Sequence, residues 1–177
     1  MKVIYLYGPD GSGKTFIAKE LLKTLESAII IPFEPGKFGN LIEEIDSGYN
    51  GEGSAVNKAI PKFKSFLFYM RYIVRYILFK LKFNNKYKYA IFTRGPLEFG
   101  INDTHRNFPK FLGKLLQNII SKKVFLVVRP VETILYEKPE LPRSRILSLY
   151  EEYLLSGCKP VINIDKDTCL DTILKEI

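Results

Sequence analysis

Residues 8–15 read Gly-Pro-Asp-Gly-Ser-Gly-Lys-Thr, directly after the apolar run Val3-Ile4-Tyr5-Leu6-Tyr7. Glycines at 8, 11 and 13 let a backbone curl until successive N–H groups, those of Ser12 and its neighbours among them, converge on one anion. Lys14 then reaches the outer phosphates of a polyphosphate, and the Thr15 hydroxyl can sit on Mg²⁺. The segment Phe16-Ile17-Ala18-Lys19-Glu20-Leu21-Leu22 that follows has helical periodicity. A helix opening near Lys14 adds the positive end of its dipole to the site. The motif therefore predicts binding of a nucleoside di- or triphosphate, with Gly8, Asp10, Gly11, Ser12, Gly13, Lys14 and Thr15 as the contacting residues. Asp10 is unfavourable inside an anion-binding loop without a reason of its own, which makes it a candidate for a second substrate.

Phosphoryl transfer is mostly positioning and neutralisation of moving charge, so further cations are the next residues to find. Guanidinium groups match phosphate better than ammonium does. Arg94 follows the apolar run Tyr89 to Thr93, and Glu98 lies four residues beyond it. Arg143 and Arg145 follow Lys138-Pro139-Glu140-Leu141. Arg71 and Arg75 lie one helical turn apart in an otherwise apolar segment, and Glu34 stands in Phe33-Glu34-Pro35-Gly36. Each has a plainer reading: Arg71 and Arg75 as snorkelling helix residues, Arg143 and Arg145 as ordinary first-turn positions, Glu34 as a turn residue before proline.

These residues need a scaffold. The chain has 177 residues, 46% of them apolar, enough for one folded domain spanning 1–177. Apolar β-branched runs alternate with helical patterns, which predicts an α/β fold with a five-stranded parallel sheet flanked by helices in three layers. Strands are predicted at 2–7, 28–32, 89–93, 123–128 and 160–164. Helices are predicted at 14–26, 56–83, 108–121, 131–137, 143–156 and 168–177. Ligands of such a sheet sit beyond the carboxyl ends of its strands. The loops at 32–40, 94–103 and 138–145 should therefore converge on the phosphate loop.

Lys and Arg total 27 against 19 Asp and Glu, a net charge of +8 that suits polyanionic ligands. A nucleotide accounts for that charge, so nucleic acid is not expected as a partner. Cys158 and Cys169 have no metal-ligand spacing, and His105 is the single histidine. Met1-Lys2 leads straight into a core strand without a secretory pattern, and a cytoplasmic protein is expected. From Phe66 to Leu81 most residues are apolar or Tyr, but Arg71, Arg75 and Lys80 interrupt a run already short for a membrane span. A helix clothed in apolar residues nearly all round must be covered on every side, so 56–83 is also expected to pair with a second copy in a two-fold dimer.

Taken with Ala90-Ile91-Phe92-Thr93-Arg94-Gly95-Pro96 and the run from Val127 to Leu141, the phosphate loop resembles that of the thymidylate kinase family of P-loop nucleoside monophosphate kinases. The Lys138–Leu141 and Asp103–Arg106 runs are similar to those of its divergent branch. The resemblance covers nearly the whole chain. It implies ATP as phosphoryl donor, Mg²⁺, a nucleoside monophosphate as acceptor, and the reaction dTMP + ATP to dTDP + ADP. It also implies that Asp10 faces the acceptor sugar, Glu34 walls the acceptor site, Arg71 bonds the acceptor base and Arg94 holds the acceptor phosphate. Arg143 and Arg145 would lie in a lid at 138–146, where one subgroup places its transition-state arginine. The family also pairs subunits across the region of the long helix.

The chain departs from the family pattern where the chemistry is decided. Phe33 stands in place of the arginine before Glu34, Gly11 in place of a loop arginine, and Thr93 in place of the aspartate that supports Mg²⁺. A hydroxyl is a weaker ligand than a carboxylate, so either Glu98 or Asp103 helps from the following loop or transfer is weak. Two alternatives stay open: a nucleotide-binding protein of kinase fold with weak or lost transfer activity, and a phosphotransferase for another phosphate or hydroxyl acceptor.

Overall fold

The computed structural model describes residues 1–31 and 61–177. The predicted segments at 32–60, including Phe33, Glu34 and the start of the long helix, lie outside the described residues. Strands β1 (Lys2–Tyr7), β2 (Ala28–Ile31), β3 (Tyr89–Phe92), β4 (Val124–Val128) and β5 (Lys159–Ile162) form one parallel sheet in the order β2-β3-β1-β4-β5. β1 sits at its centre, with Tyr5 opposite Phe92 on one side and Val124 on the other. Buried on both faces, β1 reads as a continuous apolar run rather than an alternating one.

Alternate residues of that run build two cores. Ile4 and Leu6, with Ile91, Phe125 and Val127, face Ile17, Ala18 and Leu21 of α1 (Lys14–Thr24) and Cys169, Leu170 and Ile173 of α7 (Lys166–Leu174). Val3, Tyr5 and Tyr7, with Phe92 and Leu126, face α2 (Lys62–Phe83), α4 (Lys110–Ile120) and α6 (Arg143–Leu155). The layers therefore come out as predicted, with helices on both faces of the sheet.

The remaining elements are short. α3 (Glu98–Ile101) and a 3₁₀ turn at Asp103–His105 occupy the stretch predicted as loop after β3, and α5 (Val131–Glu137) follows β4. Predicted boundaries shift where a cap intervenes. α2 opens at Lys62, directly after Pro61, and α4 opens after Pro109. α7 opens two residues earlier than predicted because Asp165 accepts a hydrogen bond from the Thr168 amide at 3.1 Å. β5 ends at Ile162 because Asn163 turns away to serve the loop after β1.

Helix α2 carries two stripes. Tyr69, Tyr72, Tyr76, Phe79 and Phe83 are buried at alternating spacings of three and four. On the opposite side Phe63, Phe66, Leu67, Met70, Val74, Ile77, Leu78 and Leu81 are exposed, as are Phe111, Leu115 and Ile119 of α4. Among the described residues no helix is long and apolar enough to cross a membrane.

Candidate functional site

The phosphate loop hangs from the end of β1 at the middle of the sheet. Its curl needs left-handed backbone at Gly13, where φ is +91°. The same glycine admits a neighbour: a methyl group there would lie 2.2 Å from Asn163 Nδ2. Asn163 Nδ2 instead donates to the Ser12 carbonyl at 2.9 Å, and the Asn163 amide donates to the Val128 carbonyl at 2.7 Å. The end of β5 thus clamps the loop to the end of β4. Gly13 also starts α1, so Lys14 and Thr15 occupy the first turn of that helix.

Lys14 is buried and folds back onto its own loop, its Nζ donating to the carbonyls of Gly8 at 2.7 Å and Pro9 at 2.9 Å. Asp10 Oδ1 lies 3.8 Å from the same ammonium. Burial lowers the Lys14 pKa, and Asp10 partly restores it. A cation held by neutral carbonyls in a desolvated loop is poised to exchange them for a phosphate oxygen.

β3 delivers the second half of the site. Thr93, at its end, is 4% exposed. Arg94 Nη2 donates to Asp10 Oδ1 at 3.2 Å, and its Nη1 lies 3.4 Å from Glu98 Oε2. Glu98 is buried at the start of α3, and its desolvation raises the carboxyl above its ordinary pKa despite the pull of Arg94 and Lys14. Asp10, Lys14, Arg94 and Glu98 form a single cluster with two cations and two carboxylates.

A buried polar chain fixes the backbone between Arg94 and Glu98. Tyr7 donates to Gln117 Oε1 on α4 and accepts from the Leu97 amide at 3.3 Å, while Gln117 Nε2 donates to the Ser121 carbonyl at 3.1 Å. Tyr5 and Tyr7 stack at 5.8 Å between ring centroids, and Gly95 packs so closely on them that an added Cβ would meet Tyr7 Oη and Tyr5 Cε1. Burial pushes the Tyr5 and Tyr7 hydroxyls well above their ordinary pKa, so they remain protonated.

The other predicted residues are placed as follows. Arg71 is half-buried on α2, one position before Tyr72, whose hydroxyl meets that of Tyr5 at 2.9 Å. Arg143, on the first turn of α6, is largely exposed and pairs with Glu132 Oε1 at 2.9 Å. Arg145 donates through Nη2 and Nε to the Asp103 carboxylate, through Nη2 to the Ile101 carbonyl at 2.7 Å, and lies 3.5 Å from Glu152. The fold therefore brings Asp10, Lys14, Arg94 and Glu98 together, while Arg143 and Arg145 are engaged by carboxylates elsewhere.

Two residues about the loop went unrecognised in the sequence. Asn163 falls inside the strand predicted at 160–164, whereas β5 ends at Ile162 and leaves Asn163 at the carboxyl end of the strand, where sheet topology puts ligands. Arg129 stands at the end of β4, its Nη1 donating to the Gly11 carbonyl at 3.1 Å and to Glu137 Oε2 at 2.7 Å. Tyr150 holds its backbone, accepting from the Arg129 amide and donating to the Arg129 carbonyl, both at 3.0 Å. Neither contact could be read locally, because partners more than 100 residues apart meet only once the sheet is built.

No protein-family model matches the chain, and no curated protein matches it. Solved structures do match. A thymidylate kinase from Ehrlichia chaffeensis superimposes with a TM-score of 0.59 at 16% identity, over 99% of this chain and 98% of that one. A deoxyadenosine kinase from M. mycoides with bound dATP gives 0.51 at 17% identity, over 99% and 98%. A shikimate kinase from Acinetobacter baumannii gives 0.50 at 17% identity, over 99% and 90%. The chain has the P-loop kinase fold of these proteins.

Proposed function

We propose that this protein transfers the γ-phosphoryl group of ATP to a nucleoside monophosphate, with dTMP as the first acceptor to test. The observation that carries this reading is the cluster at the carboxyl ends of β1 and β3, where Lys14 lies 3.8 Å from Asp10 and Arg94 lies 3.2 Å from the same carboxylate. Lys14 belongs to the loop that would hold the donor, and Arg94 to the strand end that faces it. Lys14 and Arg94, held on either side of the Asp10 carboxylate, would bring donor and acceptor phosphates side by side, the arrangement a direct transfer needs. The shared fold supports a phosphotransferase and does not choose the acceptor.

Mg²⁺ takes oxygen ligands, keeps several waters and shares the substrate's phosphates. The Thr15 hydroxyl, on the first turn of α1, and the part-exposed Asp10 carboxylate of the same loop are oxygen donors of the kind that set needs. When bound, the ion would neutralise charge on the phosphoryl group in transit. The buried thiols of Cys158 and Cys169 are free, which suits a reducing cytoplasm.

A hydroxyl acceptor is the second reading, and Glu98 favours it. A carboxylate whose pKa burial has raised is a better base, able to take the proton of an attacking hydroxyl as that oxygen bonds to the γ-phosphorus and ADP departs. The test is mass spectrometry of reactions containing ATP, Mg²⁺ and separate panels of nucleoside monophosphates, nucleosides, small hydroxy acids and a 5′-hydroxyl oligonucleotide. Conversion of a monophosphate supports the first reading, and conversion of only hydroxyl substrates supports the second. ATP binding without any product identifies a protein that has lost transfer. In that last case Thr93→Asp should restore measurable turnover.

We further propose that two copies associate through the exposed stripe of α2 and the adjoining stripe of α4. Tyr69 donates to the Leu112 carbonyl at 3.1 Å, so the two helices lie side by side. Among the described residues, eight large apolar residues of α2 and three of α4 stand exposed, the kind of surface that marks a protein–protein interface.

A further inference from the structure

We infer that Lys138, from a position over Gly11, supplies a cation for the donor's terminal phosphates. The inference rests on the nucleotide-binding reading above. A methyl group built on Gly11 would lie 3.4 Å from Lys138 Cγ and 3.2 Å from Ile134 Cγ2. The aliphatic stem of Lys138 thus lies against the phosphate loop. Three bonds separate Cγ from the ammonium, so the charge remains within side-chain reach of a phosphate held by the loop amides.

Helix α5 delivers this side chain. Ile134 is fully buried and anchors the helix, and the Lys138 amide closes its last turn on the Ile134 carbonyl at 2.7 Å. Pro139 forbids continuation, because the residue before a proline is driven out of the helical region. Lys138 accordingly has φ −136° and ψ 67°. The chain must leave the helix with Lys138 still over the loop.

The neighbouring arginines each have a carboxylate partner. Arg143 pairs with Glu132, Arg145 with Asp103 and Glu152, and Arg129 with Glu137 and the Gly11 carbonyl. Among the described residues no carboxylate lies within ion-pair distance of Lys138. The cluster beneath it is already balanced, two cations against two carboxylates, whereas a triphosphate brings several negative charges that must be met. Gly11 has φ +85°, a conformation that favours glycine, and an added Cβ would press on Ile134 Cγ2 at 3.2 Å while only touching the Lys138 stem. Position 11 therefore carries no side chain, and α5 contributes a cation beside it.

The test is calorimetric titration of ATP, ADP and AMP with Mg²⁺ into the full chain and into Lys138→Met, Lys138→Arg and Lys14→Met. Methionine keeps the stem over Gly11 and removes only the charge. The expected result is ATP affinity about tenfold weaker in Lys138→Met and retained in Lys138→Arg. ADP should weaken less and AMP hardly at all, because the lost contact is to the outer phosphates. Equal ATP affinity in the unsubstituted chain and Lys138→Met overturns the inference while leaving the nucleotide-binding reading intact. Equal weakening for all three nucleotides also overturns it, since that marks a merely structural residue. Failure of the unsubstituted chain to bind any of them overturns both.

Discussion

Arg94 reaches Asp10 across 84 residues of sequence, its Nη2 donating to Oδ1 at 3.2 Å, while its Nη1 lies near the buried carboxylate of Glu98. This arginine joins the strand-end loop of β3 to the phosphate loop of β1. It also leaves Glu98 dependent on it, because a buried charge without its partner is costly.

Arg94→Met should therefore lose about 3 kcal/mol of unfolding free energy. Glu98→Gln should lose less, and the double variant should recover at least half of the Arg94→Met loss, because the stranded charge is gone. Urea denaturation of the three variants measures this. Additive losses would mean that the pair is not coupled.

Stability should depend on pH through the same cluster. Burial raises the Glu98 carboxyl, so the folded chain holds that proton more tightly than the unfolded chain does. The contribution is complete below the ordinary carboxylate range and fades as pH climbs through the raised value. Glu98→Gln should then gain on the unsubstituted protein progressively as pH rises from about 4. Lys14 acts in the opposite sense: burial lowers its pKa, so its contribution holds at high pH and is lost as pH falls through the lowered value. Unfolding curves across a pH series check both signs.

Gly95→Ala should cost about 2–3 kcal/mol, because the core accepts no added methyl there. The new carbon would lie 2.2 Å from Tyr7 Oη and 2.6 Å from Tyr5 Cε1, both rings being fully buried. Relief requires moving the Arg94–Glu98 backbone, so acceptor KM should rise more than donor KM. Denaturation and steady-state kinetics together separate this from a loss of stability alone.

Association through α2 and α4 predicts a dimer mass in light scattering at micromolar concentration. Ile77→Lys combined with Leu115→Lys should give monomers, because charges on both stripes oppose burial of either. A monomeric mass for the unsubstituted chain would remove the proposed interface.

Much of this architecture is legible in the sequence because its signals are local. The loop at 8–15 carries its own glycines, lysine and threonine, and β1 announces itself as an apolar run between charged and turn residues. α5 was predicted at 131–137 and found at Val131–Glu137, since Pro130 precedes it and Pro139 closely follows. The short α3 was not legible, because Glu98–Ile101 holds together through Gly100 in left-handed backbone and through packing on α4 rather than through periodicity. The fate of the arginines was illegible too. Arg145 sits at a plausible lid position, yet Asp103, 42 residues earlier, captures it. Charge spacing along a chain does not reveal which carboxylate a folded sheet brings alongside.

We propose that the amides of residues 11–15 and Lys14 grip a polyphosphate. A crystal structure with a non-hydrolysable ATP analogue and Mg²⁺ tests it most directly. The β-phosphate should lie within hydrogen-bond distance of those amides, with Lys14 Nζ released from the Gly8 and Pro9 carbonyls onto phosphate oxygen. An analogue bound elsewhere, or bound at the loop while Lys14 stays on those two carbonyls, would contradict it.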